Sequence, residues 1–142
     1  MTGSLGPRTA GRERQYERLL ADIAQGARLH YGEHSADPDL DLLLGDQHYA
    51  DGLSRLAALG DLEATAELAD VISLVAQAHA AGDKQLAEAV WEAGRVAIGW
   101  GASEAHEAAK QLARTGAPGA RQALLSAAAR QRGDGSPSAA EL

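Results

Sequence analysis

The chain has 142 residues, with 32 alanines, 19 leucines, no phenylalanine and no cysteine, and 13 Lys and Arg against 20 Asp and Glu give a net charge of −7. A chain of this length makes one domain with a real core, and its excess of Ala over β-branched and aromatic residues excludes a β-sandwich, a β-barrel or a doubly wound sheet. The missing cysteines exclude disulfides, thiolate nucleophiles, Cys-type zinc sites and iron–sulfur clusters, and the acidic balance has the wrong sign for nucleic-acid binding by charge neutralisation.

Taken in chain order, residues 1–11 hold Gly3, Gly6, Pro7 and Gly11 and read as a disordered arm. No apolar run there resembles a secretory signal, and none elsewhere approaches the roughly 18–20 residues of a membrane span, so a cytoplasmic location is expected. A first helix over about 12–35 follows from Tyr16, Leu19, Leu20, Ile23 and Ala27 at helical spacing. The basic set Arg8, Arg12, Arg14 and Arg18 is interleaved with Glu13 and Glu17 and reads as a solvated face. Asp37-Pro38-Asp39 opens a second helix over 39–59, with Asp39 as its N-cap and a stripe of Leu42, Leu43, Tyr49, Leu53, Leu56 and Leu59.

Gly60-Asp61 and Gly82-Asp83 each join a left-handed helix stop to an N-cap aspartate. Between them lies a helix over 62–81 with Leu62, Leu68, Ala69, Ile72, Val75 and His79 on one stripe, His79 being a core histidine. The next, over 84–99, carries Leu86, Ala89, Val90, Ala93, Val96 and Ala97. Gly99-Trp100-Gly101-Ala102-Ser103 breaks it, and Trp100 is placed to plug the bundle end or a subunit contact. Ser103 caps a helix over 104–115, with Glu104 and Glu107 favourably near its positive end. Pro118 suits the first turn of a last helix over 119–131, and residues 133–142 form a disordered tail. The expected fold is an all-α, compact antiparallel bundle of about six helices over residues 12–132. The breaks lack the sustained period of roughly 34–47 residues that tetratricopeptide or HEAT repeats require.

Candidate chemistry is sparse. His30 and His34 share a helix face at i, i+4, a spacing that binds metals when carboxylates join it, and Glu33 is adjacent. Asp37, Asp39 and Asp41 are better read as a helix start with favourable dipole charges than as a cation site. His48 beside Asp46 would make a general base only with a substrate group nearby, and Asp46 reads better as a buried cap or interhelical hydrogen-bond residue. No P-loop, dinucleotide fingerprint or nucleophile elbow is present.

The segment Leu42-Leu43-Leu44-Gly45-Asp46-Gln47-His48-Tyr49-Ala50-Asp51-Gly52-Leu53, continued by Leu56-Ala57-Ala58-Leu59-Gly60-Asp61-Leu62, resembles the central helices of the trans-polyprenyl diphosphate synthases. The likeness covers about residues 38–80. It implies an isoprenoid-synthase-like bundle in which Gly45, Asp46, Tyr49, Gly52 and Leu53, with Trp100, border a prenyl-chain tunnel or a subunit interface. Gly45, Ala50 and Gly52 would either let helix backbones approach closely or leave room for an isoprenoid. Family members catalyse through two DDxxD motifs that hold magnesium. This chain has neither motif, nor the Arg-Arg-Gly that follows the first, and is about half their length. The resemblance therefore implies a non-catalytic auxiliary subunit in isoprenoid biosynthesis, such as that of a quinone side chain. It would pair with a catalytic synthase that supplies the magnesium. The alternatives are a helical interaction module or homodimer without an isoprenoid role, and an enzyme using His48, Asp46 or the His30/His34 pair.

Overall fold

A computed structural model of the protein describes residues 5–32 and 36–133. Among these there are six α-helices and no strand: α1 Glu13–Tyr31, α2 Pro38–Leu59, α3 Leu62–Ala80, α4 Lys84–Trp100, α5 Glu104–Arg114 and α6 Ala120–Arg132. The breakers act as their chemistry requires. Gly60 and Gly82 both sit at φ 73°, in the left-handed region where a side chain is strained. The carboxylates of Asp61 and Asp83 then accept from the backbone N–H groups of Ala64 and Leu86, and the Ser103 hydroxyl from that of His106. The first helix, expected to run to about 35, ends at Tyr31, where Gly32 turns extended, and two cap assignments shift by a residue or two. Asp37, not Asp39, caps α2, its carboxylate accepting from Leu40 N–H with Pro38 in the first helical turn. Pro118 lies ahead of α6, which starts only after Gly119 in the left-handed region.

The contacts group into two compact units: Gly11–Thr65, and the chain up to Ala10 together with the chain from Ala66 onward. In Gly11–Thr65, α1 and α2 form an antiparallel hairpin along a seam of glycines. A Cβ on Gly26 would lie 2.9 Å from the Gly45 carbonyl oxygen, and one on Gly52 would lie 3.0 Å from that of Leu19. The glycines let the backbones approach and make room for the Tyr49, His30 and Ile23 side chains of the facing helix, and Leu19, Leu20, Ile23 and Leu56 are buried. The seam reverses part of the expected stripe: α2 turns Asp41, Gly45, Gly52 and Leu56 inward, while Leu42 and Leu43 point to solvent, Leu43 at 65 % exposure. Close backbone approach won over apolar bulk. Tyr16 seals the far end, its hydroxyl donating to Asp61 at 2.7 Å.

The second unit packs α6 on α4 and α5. Its core is mostly small: Ala87, Ala89, Ala93, Ala97, Ala109, Ala113, Ala127 and Ala128, with Leu68, Val71, Leu74, Val90, Ile98 and Leu124. Helix ends are tied by side chains from neighbours. Gln77 donates to the carbonyls of Ala113 and Arg114, closing α5, and Gln131 does the same for Trp100 and Gly101 at the end of α4.

Residues 5–10, expected to be loose, are packed. Leu5 is buried, Pro7–Thr9 form a 310 turn, and Arg8 donates to the Ile98 carbonyl at 2.6 Å. Gly99 makes this possible, because the Leu5 carbonyl occupies the space its Cβ would fill. The remaining terminal expectations, for residues 1–4 and 134–142, lie outside the described residues.

Candidate functional site

Five of the six residues singled out by the resemblance lie on α2, at or beside the glycine seam. Gly45 is covered by the His30 side chain of α1, and Gly52 packs against Ile23. Both glycines thus serve helix packing, the first of the two uses open for them. Ala50 is exposed and Leu53 half-buried. Asp46 and Tyr49 join His30 and Tyr31 in a polar cluster. His30 Nε2 lies 2.8 Å from Asp46 Oδ1, its ring stacks on Tyr49 with centroids 5.2 Å apart, and the Tyr31 and Tyr49 hydroxyls are hydrogen-bonded.

Two expectations are corrected here. Asp46 pairs with His30 rather than His48, and it is exposed rather than buried, with 68 % of its side chain open to solvent. His48 instead faces Asp22 at 3.4 Å, where Arg55 also binds at 3.0 Å. Both pairings follow from the antiparallel hairpin, which sets residue 30 against 46 and residue 22 against 48 and 55. His30 is therefore committed to a carboxylate on the other helix, and His34 lies outside the described residues.

Electrostatics limit what this cluster can do. Burial pushes the Tyr31 hydroxyl above its ordinary value, against the opposing hydrogen bond from Tyr49. Tyr49 is raised further, by burial first and then by electrostatic repulsion from Tyr31 and Asp46 against its ionised form. Both phenols stay protonated across the neutral range, the Tyr49 hydroxyl donating to that of Tyr31. Two phenols, a stacked imidazole and an open carboxylate make an interhelical clasp.

The sequence reading missed the most buried charged group. Glu67 of α3 receives His106 Nε2 at 2.7 Å and Lys110 Nζ at 2.8 Å, both from α5. Lys110 also reaches Asp70 at 2.8 Å, and Arg114 pairs with the other oxygen of Asp70 at 3.2 Å. Burial alone would raise the Asp70 carboxyl, but the Lys110 hydrogen bond and charge, with Arg114 behind it, hold it below its usual range. Burial would likewise lower Lys110, and Asp70 and Glu67 raise it instead. A sequence signal existed: Glu67 sits beside Leu68 on an apolar stripe, and His106, Lys110 and Arg114 repeat every four residues on one face of α5.

Trp100 is half-buried at the end of α4. With Leu5, Glu92, Arg95, Val96 and Arg132 it lines a cavity of about 140 Å³. Its Nε1 is buried with no hydrogen-bond partner among the described residues. Glu92 bridges to Arg132 at 2.9 Å. No group of three His, Asp or Glu side chains among the described residues is placed to hold a metal ion. No helix among them is long and apolar enough to cross a membrane.

No family model matches this chain, and no curated protein or solved structure matches it either.

Proposed function

We propose that the protein is a non-catalytic auxiliary subunit of a polyprenyl diphosphate synthase, acting in the cytoplasm in isoprenoid side-chain assembly by association with the catalytic chain. The observation that carries the reading is on α2. The helix with the Gly-Asp-aromatic resemblance exposes Leu40, Leu42, Leu43 and Leu44 on its outer surface, a cluster that a protein working alone has reason to bury. The partner would supply the magnesium and the aspartate motifs, and this chain would act on product length or on the stability of the assembly.

The test is co-expression with the long-chain polyprenyl synthase of the same organism, followed by co-purification and chromatography of the prenyl products. Association together with a shifted product length is the expected result. A synthase that purifies alone with unchanged products removes the isoprenoid role. The same leucines support a second reading, a helical interaction module with no isoprenoid role, for which a complex forms with a protein of another class.

A further inference from the structure

We propose that the outer face of α2 docks a basic amphipathic helix of a partner protein. The inference rests on the reading of α2 as an interface helix and names the chemistry of what covers it. Leu40, Leu43 and Leu44 fall at i, i+3 and i+4, the spacing of an apolar ridge along one helix face, and Gln47 extends it by a turn. Their exposures are 46 %, 65 % and 43 %. The face opposite is held on α1 by the glycine seam, so the ridge cannot turn inward without parting Gly52 from Leu19 and Ile23.

Charge selects the occupant. Between Leu29 and Ser54 the sequence has Glu33 and five aspartates, at 37, 39, 41, 46 and 51, and no Lys or Arg. Asp39 and Asp46 are exposed along one edge of the ridge, and Asp51, also exposed, closes its line one turn beyond Gln47. A helix presenting aliphatic residues bordered by Lys or Arg complements the ridge, its acidic edge and the aspartate at its end. A second copy does not. Two α2 helices packed antiparallel about a two-fold axis bring the same Asp39–Asp46 edge together, in chains that each carry a net charge of −7. The chain's own C-terminal residues 134–142 hold Asp134 and Glu141 and no cation, so they are not the occupant either.

The probe is a labelled synthetic helical peptide of leucine and lysine, with leucines at i, i+3, i+4 and i+7, titrated into the full-length protein by fluorescence anisotropy. The control replaces every lysine with glutamate. The expected result is saturable one-to-one binding of the lysine peptide and none of the glutamate peptide at the same concentrations. Binding should weaken by roughly tenfold or more in the Leu40→Ser/Leu43→Ser double variant, and also in Asp39→Asn/Asp51→Asn. Equal binding by the leucine variant would mean that charge alone holds the peptide and would overturn the proposal. So would a dimer of the unmixed protein that dissociates in the leucine variant, which gives the face to a second copy. A melting temperature lowered by several degrees in that variant would also overturn it, because the leucines would then be buried within the chain. A polyprenyl synthase that still associates with the leucine variant overturns this surface and leaves the auxiliary reading standing. Peptide binding as described, with no synthase associating, upholds the surface and removes the prenyl role.

Discussion

Lys110 illustrates how much one residue can hold. Its side chain is 2 % exposed, and its ammonium is within 3.3 Å of three carboxylates, those of Glu67, Asp70 and Glu107. Lys110→Ala leaves Glu67 buried with only His106 beside it, and removing one partner of a buried ion pair costs roughly 3–5 kcal/mol. Urea unfolding of the variant should show that loss, and a change below about 1 kcal/mol would mean water reaches the group. The same cluster sets the pH limits of stability. Asp70 is depressed in the folded protein, so its contribution is complete above the unfolded aspartate value near ~3.9 and is lost as pH falls through the lower folded one. Lys110 is raised, so its contribution is complete below the unfolded lysine value near ~10.4 and is lost as pH rises through the higher folded one. Thermal melts across pH should show a plateau between those limits, and an Asp70→Asn variant should lose less stability than the parent as the pH is lowered into the acid limb.

At the scale of the element, glycine decides how closely two pieces of chain approach. In an exposed helix, Gly→Ala gains up to about 1 kcal/mol of helix propensity. At Gly52 the sign should reverse, because a Cβ there sits 2.7 Å from Ile23 Cδ1 and 3.0 Å from the Leu19 carbonyl oxygen, which is backbone and cannot rotate away. Overpacking of this kind costs typically ~1–3 kcal/mol, so Gly52→Ala should lower the denaturation midpoint, whereas Ala50→Ser, on the exposed face, should cost only about 0.5 kcal/mol of helix propensity. Gly99→Ala makes a separable prediction. Its Cβ takes the place of the Leu5 carbonyl and should dislodge residues 5–10, freeing Arg8 from Ile98. Trypsin should then cut after Arg8 several-fold faster, with the far-ultraviolet spectrum unchanged. An unaltered cleavage rate would show that the segment is not held at Gly99.

For the whole molecule, the aromatic residues separate the two units. Tyr16, Tyr31 and Tyr49 all fall in Gly11–Thr65, and Trp91 and Trp100 both fall in the chain from Ala66 onward. The first unit is essentially one hairpin with a short apolar core, and small cores are marginal. Tyrosine absorbance should therefore change at a lower denaturant concentration than tryptophan emission. Coincident curves would mean that the two units unfold as one cooperative body.

The helices were legible because their signals are local. A left-handed glycine followed by a capping aspartate ends one helix and begins the next at Gly60-Asp61 and Gly82-Asp83, Asp37 and Ser103 cap two more starts, and periodic apolar positions fill the spans between. Which face of α2 turns inward was not legible. Leu42 and Leu43 look like core in a period count, whereas the hairpin chose Gly45 and Gly52, because close approach to the Gly26 and Leu19 carbonyls requires that α2 carry no side chain at those heights. The candidate site is legible residue by residue and not in its pairings: the sequence sets Asp46 beside His48, and the fold gives it to His30, 16 residues away. The Glu67–His106–Lys110 group likewise joins helices about 40 residues apart. Local backbone chemistry determined where each helix lies along this chain. Only packing between helices decided which surfaces are buried and which charges meet, because those contacts depend on distances that sequence spacing does not encode.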